Sequence, residues 1–208
     1  MPLEELQMLK LMLAKQEALN TAIHPEWRQQ RFNWPRAIWM EVAELMERLP
    51  WKWWKSPPAE DLDQTRLELV DVFHFGMSAL LQYHTIPEAA ALLKQAQSTI
   101  SSDRSLMEAC DYMVASAAAT SQFNASAFWT ACHAVGLSLD QLFEMYAGKH
   151  LLNEFRAAHG YNTGAYRKYW FDGREDNEHL QDAMRITPNG PSYLSDVAAC
   201  LARLYAAK

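Results

Sequence analysis

Two stretches of sequence decide the fold class: RAIWMEVAELMERL at residues 36–49 and RLELVDVFHFGMSALL at residues 66–81. In both, apolar residues recur at the three- to four-residue spacing of an α-helix, and neither alternates as a half-buried strand would. Pro35 suits the first turn of a helix and Pro50 cannot continue one, so the first stretch is bounded on both sides. The two stretches therefore predict two successive helices.

The rest of the chain shows helical patterns as well. Asp61 with Gln64, and Ser138 with Gln141, each have the three-residue spacing of a capping box at a helix start. The alanine-rich middle of the chain, residues 85–136, is expected to hold two or three helices and to end at a capping glycine, Gly136. The other predicted helices cover residues 3–23, Pro35 to Pro50, Asp61 to about Tyr83, Ser138 to Gly160, and 192–206.

Residues 160–178 differ from the rest of the chain. Gly160, Gly164 and Gly173 lie there, and we predict a structured loop rather than a helix. No alternating strand pattern of useful length and no internal repeat is present. Residues 1–208 are therefore predicted to form a single all-α domain, a helical bundle with its functional site between helices.

The composition excludes several classes of protein. The chain has 208 residues, half of them apolar, which is enough to bury a sizeable core. Its formal net charge is −6, so it lacks the basic excess of a nonspecific nucleic-acid binder. The sequence also lacks the G-x-x-x-x-G-K-[ST] motif of a P-loop NTPase.

Three features favour a soluble, cytoplasmic protein. Cys110, Cys132 and Cys200 are odd in number and widely spaced, as expected of core residues in a reducing compartment. The opening MPLEELQMLKLML carries charges among its apolar residues and resembles an amphipathic helix rather than a signal peptide. No uncharged apolar run approaches the roughly 18 residues of a membrane span, so no membrane partner is expected.

Two pairs of carboxylates indicate a metal site. Glu41 and Glu44 are three residues apart and share one helix face, and so do Glu68 and Asp71. A single pair of this kind ordinarily belongs to a solvent-exposed helix face. Here, however, both pairs lie within apolar helices. Four carboxylates brought together would repel unless a cation neutralised them. Oxygen ligands favour Mg²⁺ or Mn²⁺, ions that can activate water and stabilise phosphoryl charge.

A polar stripe occurs later in the chain. Lys149, Asn153 and Arg156 are spaced i, i+4 and i+7, so they share one face of a helix. Arg156 can bind a phosphate in bidentate fashion, while Lys149 acts as a point charge. A solvated helix face remains the alternative interpretation.

These motifs resemble a known family. The pattern E-x-x-E followed by E-x-x-D is the metal signature of the all-α NTP pyrophosphohydrolases, which include the dimeric dUTPases and the MazG-type enzymes. The flanking sequence is most similar to the dimeric dUTPases over roughly residues 5–85 and 138–180. The similar segments are KQEALN, EVAELMERLPWKWWK, ELVDVFHF, GKHLLNEFRAAHGYNTGAYRKYW and GREDNE. Residues 85–136 show no recognisable match.

The resemblance implies a role for each matching residue. The expected catalytic residues and Mg²⁺ ligands, with Mn²⁺ as a substitute, are Glu41, Glu44, Glu68 and Asp71. Glu41 is also expected to orient or deprotonate the attacking water. The expected phosphate-binding residues are Lys149, Arg156 and Lys168. The expected nucleoside-binding residues are Gln16, Asn20, Trp54, His74, Asn153, Tyr161 and Asn177.

Some of these positions have a second interpretation. Relatives often carry a glutamine three residues before the asparagine of the first segment, but this chain has Glu17 there, with Gln16 beside it. The uracil contact is therefore left open. His74, between two phenylalanines, is equally typical of a satisfied core histidine. Trp54 belongs to a tryptophan cluster of the kind more often found in a core or an interface.

The implied activity is hydrolysis of dUTP to dUMP and pyrophosphate by a Mg²⁺-activated water that attacks the α-phosphorus, with dUDP as a further candidate substrate. A homodimer is expected. Residues 160–178 are expected to order over the nucleotide as a lid, the alternative being a fixed loop packed by its own aromatic residues. Two other functions stay open: a related pyrophosphohydrolase acting on dCTP or a non-standard nucleotide, and a non-catalytic nucleotide-binding helical interaction protein.

Overall fold

The computed structural model describes residues 4–188 and 190–207, and most of them are helical. Within this part of the chain there is no β-strand; the antiparallel bridge between Tyr169 and Glu175 is isolated. A short 3-10 helix covers Tyr161–Thr163. The α-helices are α1 (Glu5–Ile23), α2 (Trp34–Glu47), α3 (Leu62–Leu81), α4 (Ile86–Gln97), α5 (Leu106–Thr120), α6 (Ala125–Ala134), α7 (Leu139–Ala158), α8 (Asp176–Ile186) and α9 (Tyr193–Ala206).

Side-chain caps fix the starts of the two central helices. The Asn33 side chain accepts a hydrogen bond from the Arg36 N–H at 3.0 Å, and Pro35 occupies the first turn of α2. The Asp61 side chain accepts from the Gln64 N–H at 2.9 Å and begins α3. The predicted helix starts are therefore confirmed, and each is explained by a local hydrogen bond.

Most of the other sequence predictions about the fold are confirmed too. The alanine-rich middle forms three helices, and Gly136 has a left-handed φ of 60° after α6. The three cysteines are buried and unbonded to one another. One prediction is wrong in extent: the loop from residue 160 ends at Glu175, because α8 begins at Asp176. The whole of α8 was missed. No described helix is both long enough and apolar enough to cross a membrane.

The chain divides into two compact units, residues 1–143 and residues 144–208. In the first, α2 packs against α3 and α5, and α1 packs against α3 and α4. Phe73 of α3 stacks on Phe128 of α6 at a centroid distance of 4.9 Å. Gly76 is needed in the middle of α3, because an added Cβ would lie 2.6 Å from the Phe123 ring. This packing holds the acidic segments of α2 and α3 side by side.

The second unit has its own apolar cluster. α8 packs against α9, and their buried side chains meet Leu152 of α7 and Trp170 of the loop. The other buried members are Leu180, Ala183, Val197, Cys200 and Leu201. The assignment of the whole chain to a single domain stays a prediction.

Candidate metal and phosphate sites

Three of the four predicted carboxylates lie together. Glu41 and Glu44 of α2 and Glu68 of α3 each present a carboxylate oxygen, and these oxygens lie within 4.8 Å of one another. Glu68 is buried, Glu41 is half-buried and Glu44 is exposed, so the group opens from the helix interface toward solvent. Asp71 is half-buried one turn further along α3 and lies outside this group. Its role as a fourth ligand stays a prediction.

The chemistry of this group fits a hard divalent cation. All three donors are carboxylate oxygens, which are the ligands that Mg²⁺ and Mn²⁺ prefer. One of them is buried, where an uncompensated negative charge is costly. A metal held by Glu41, Glu44 and Glu68 would therefore neutralise charge that the fold has concentrated.

A cation of the chain itself already contacts this group. Arg48, just after α2, donates from Nη2 and Nε to Oε1 of Glu68, at 2.9 and 3.2 Å. The sequence analysis did not identify Arg48. The signal was available, since Glu41, Glu44 and Arg48 are spaced i, i+3 and i+7 and share one helix face.

The predicted base-side residues of the first unit form a buried polar network. Oε1 of Gln16 lies 2.7 Å from Nδ1 of His74, and Nε2 of Gln16 donates to Asn20 at 3.0 Å and to Ser78 at 3.1 Å. The Asn20 amide also donates to the Ser78 hydroxyl at 3.0 Å. All four side chains are buried. The structure therefore joins Gln16, Asn20 and His74, and it adds Ser78, which the sequence analysis missed.

Glu17 is engaged in a different interaction. Its Oε1 accepts from Nη2 of Arg28 at 2.7 Å, and Arg28 also donates to the Leu81 and His84 carbonyl groups at the end of α3. Glu17, which stands where relatives often carry a glutamine, thus holds Arg28, and Arg28 caps the end of α3. Gln16, rather than Glu17, is the neighbour that reaches His74.

Trp54 lies on the surface. It is 58% exposed and makes edge-to-face contacts with Trp51 and Trp53, at centroid distances of 5.5 and 5.7 Å. Trp53 is 90% exposed. The interpretation of this cluster as core is therefore wrong, while contact with a ligand or with another chain stays a prediction.

The second unit contains the predicted basic residues. Lys149 is 2% exposed, and its Nζ donates to Oδ1 of Asn177 at 2.8 Å. Arg156 donates from Nε and Nη2 to the two oxygens of Asp176, at 2.7 and 2.8 Å, and from Nη1 to Asn153 at 3.2 Å. Four predicted residues are thus joined by hydrogen bonds, and Arg156 links them to the carboxylate of Asp176. The sequence analysis missed Asp176, although it stands beside Asn177 in GREDNE.

Asp176 is the buried anion of this cluster. It also accepts from the Tyr166 hydroxyl at 2.9 Å. Burial alone would raise the pKa of Asp176, but the hydrogen bonds and charge of Arg156 hold it below its ordinary value. Burial, and then the charge of Asp176, raise the pKa of Tyr166. Asp176 therefore stays ionised and Tyr166 stays protonated at neutral pH.

Two predicted residues lie nearer to solvent. Lys168 pairs with Glu175 at 3.3 Å. Burial would lower the pKa of Lys168, but the charge and hydrogen bond of Glu175 raise it above its ordinary value. The exposed ring of Tyr161 lies 5.7 Å from the Arg156 guanidinium carbon. Both residues are accessible enough to meet a ligand.

Comparison with known proteins identifies the family. A family model described as dUTPase matches residues 8–161 of the 208. The match includes the middle helices, where the motifs gave no resemblance, and it ends before Lys168 and Asn177. None of the curated proteins matched the chain. Because the match spans most of an all-α chain, the chain belongs to the dimeric all-α dUTPase family, and its activity is that of a dUTP diphosphatase.

Proposed function

We propose that the chain hydrolyses dUTP to dUMP and pyrophosphate at a Mg²⁺ centre held by Glu41, Glu44, Glu68 and Asp71, with Mn²⁺ as a substitute. The observation that carries the proposal is the group of three carboxylate oxygens within 4.8 Å, drawn from two adjacent helices. Bound there, the cation would activate water and stabilise phosphoryl charge. Asp71, one turn from Glu68, completes the proposed ligand set.

The carboxylates also have a role in proton transfer. Water attacks the α-phosphorus, and its proton passes to a carboxylate oxygen. Glu41 is the proposed acceptor, because it is half-buried and so combines a fixed position with access to solvent. Glu44 is exposed and Glu68 is buried, so neither combines a fixed position with access to solvent.

Lys149, Arg156 and Lys168 are the proposed phosphate ligands. Arg156 has its guanidinium plane fixed by Asp176, so its positive charge is held in one orientation. Lys168 is 46% exposed at its side chain and can exchange Glu175 for a phosphate. The triphosphate would thus be bound by one rigid and one adaptable cation, with Lys149 as a buried point charge.

The nucleoside is proposed to contact Gln16, Asn20, Trp54, His74, Asn153, Tyr161 and Asn177. The buried amides of the first unit are hydrogen-bonded to one another, so their orientation is fixed before a base arrives. Such fixed donors and acceptors favour one pyrimidine edge over another. We propose uracil as the preferred base and dUDP as a second substrate.

The working form is proposed to be a cytoplasmic homodimer. Trp51, Trp53 and Trp54 form an exposed aromatic surface, and large apolar surfaces of this kind commonly mark contacts between chains. Two-fold symmetric dimers are the commonest soluble homo-oligomers. The surface supports self-association independently of the family's description.

The deciding experiment measures pyrophosphate release with Mg²⁺ from dUTP, dUDP, dCTP and the other common nucleotides. Release from dUTP well above dCTP supports the proposal, and hydrolysis in ¹⁸O-labelled water should place the label in dUMP. Label in pyrophosphate alone would mean attack at the β-phosphorus. A preference for dCTP would indicate the related pyrophosphohydrolase, and binding of dUTP without turnover would indicate a non-catalytic protein.

A further inference from the structure

The Arg48–Glu68 ion pair lies at the edge of the carboxylate group. Two guanidinium nitrogens of Arg48 donate to one oxygen, Oε1 of Glu68, at 2.9 and 3.2 Å. The Arg48 side chain is 41% exposed, whereas that of Glu68 is 8% exposed. The Arg48 guanidinium can therefore move toward solvent, while the Glu68 carboxylate stays buried.

The backbone accounts for the position of Arg48. It is the C-cap of α2, and its N–H donates to the Leu45 and Met46 carbonyl groups in the last turn. A cation is favoured at a helix C-terminus, because the unpaired carbonyl groups there carry partial negative charge. Arg48 is thus held near Glu68 by the helix end as well as by the carboxylate itself.

The electrostatics explain what the pair does. Three carboxylates within 4.8 Å repel one another when no metal is bound. Arg48 supplies one positive charge to the most buried of them. A divalent ion on the Glu68 carboxylate would lie close to this guanidinium and would be repelled by it, so each cation lowers the affinity of Glu68 for the other.

We propose that Arg48 is a resident counter-cation that competes with the divalent metal for Glu68 and so lowers the affinity of the nucleotide-free protein for metal. This inference rests on the proposed metal centre. A metal held by Glu68 would displace the guanidinium toward solvent. Since the phosphates of a nucleotide add negative charge beside the metal, they offset this repulsion. The protein therefore takes up metal more readily together with a nucleotide than alone.

The test measures Mn²⁺ binding by calorimetry without nucleotide, in the wild-type chain and in Arg48→Gln. Arg48→Gln should bind Mn²⁺ roughly three- to fivefold more tightly, as expected for the loss of a partly exposed charge. Arg36→Gln is the matched control, since it removes an exposed arginine from the same helix. It should stay within about twofold of wild type, because Arg36 lies at the other end of α2.

A second readout covers stability. In EDTA, Arg48→Gln should melt at a lower temperature than wild type, and Mn²⁺ should raise its melting temperature by more. Arg48→Lys keeps the charge but loses the two-nitrogen contact. Its affinity for Mn²⁺ should therefore lie between those of wild type and Arg48→Gln. Equal or weaker Mn²⁺ binding in Arg48→Gln, with wild type binding normally, overturns the inference and leaves the proposed function intact. Absence of Mn²⁺ binding in all variants overturns both.

Discussion

Arg156 and Asp176 form a two-point ion pair in which Nε donates to Oδ2 at 2.7 Å and Nη2 donates to Oδ1 at 2.8 Å. Asp176 has no exposed surface, and Tyr166 donates to it as well. The carboxylate therefore fixes the plane of a guanidinium that is proposed to bind phosphate. In this arrangement Asp176 is a positioning residue, because it acts on the substrate through Arg156.

Asp176→Asn should weaken substrate binding more than it slows turnover. An amide offers one acceptor oxygen and no charge, so Arg156 loses its two-point contact and its orientation. We expect KM for dUTP to rise roughly tenfold, with a smaller change in kcat, and stability to fall by about 2 kcal/mol. Asp196→Asn, in the first turn of α9, is the matched control. A rise in KM matched by an equal-fold fall in kcat would indicate that Asp176 has a purely structural role.

The same pair predicts a pH dependence of stability. The folded-state pKa of Asp176 lies below its ordinary value of 3.8, so the ionised form stabilises the fold. That contribution is complete above the ordinary value and is lost as pH falls through the lower, folded-state pKa. Urea unfolding of wild type and Asp176→Asn should therefore differ most at neutral pH. The difference should shrink below pH 3.8; a difference that stays constant to pH 2 would contradict the assignment.

Glu44→Gln should remove metal-dependent hydrolysis without unfolding the chain. Glu44 is exposed, so the substitution disturbs little packing, but it replaces one of three converging carboxylates with a neutral amide. We expect dUTP hydrolysis at fixed Mg²⁺ to fall roughly 100-fold, while far-UV circular dichroism is unchanged. Glu47→Gln changes an exposed glutamate of the same helix that lies outside the group. Its activity should match wild type.

The sequence predicted where most helices lie better than it predicted which helices pack against one another. α2 and α3 were foreseen because Pro35 and Asp61 act locally at their starts. α8 was missed because DNEHLQDAMRI has few apolar residues and begins at a glutamate cap rather than at serine or threonine. Its buried face is short and packs against α9, a contact that no local pattern reveals.

The same limit applies to the sites. Glu41, Glu44 and Glu68 could be foreseen, because helical spacing groups them once α2 and α3 are adjacent. The helix face that Arg48 shares with Glu41 and Glu44 places it near the group, but its pairing with Glu68, like that of Asp176 with Arg156, joins residues 20 positions apart. Such pairs depend on how helices pack, and a charged residue on a helix face looks the same in sequence whether it is paired or solvated.

Ser78→Ala should test whether the buried amide network positions the base-side residues. The hydroxyl accepts from Gln16 and Asn20 and donates to the His74 carbonyl. Removing it leaves buried donors without a partner, which should cost about 1–2 kcal/mol in unfolding free energy. Discrimination between dUTP and dCTP should also fall, measured as the ratio of kcat/KM. Loss of stability with unchanged discrimination would show that the network is only structural.

The loop after α7 offers a sharper test of the lid prediction. The backbone N–H of Trp170 donates to the Arg174 carbonyl, and the backbone N–H of Asp176 donates to the Lys168 carbonyl, both at 3.0 Å. Tyr166 stacks on Tyr205 of α9 at 5.2 Å. These contacts are those of a loop fixed by its aromatic residues, which was the alternative to a lid. The turn at residues 161–164 is exposed and is flanked by glycines with positive φ.

We therefore expect two behaviours within one loop. In hydrogen exchange, the amides of Trp170 and Asp176 should be protected with or without nucleotide, because their acceptors are already in place. The amides at 161–164 should exchange fast in the free protein, because their hydrogen bonds at Thr163 and Gly164 belong to one short exposed turn. They should slow down with a nonhydrolysable dUTP analogue and Mg²⁺, because Tyr161 is proposed to meet the nucleotide. If the amides of Trp170 and Asp176 instead exchange fast in the free protein and are slowed by the analogue, the whole segment orders only on binding. That result would support a lid that spans the entire loop. Protection unchanged at 161–164 would instead remove Tyr161 from the nucleotide site.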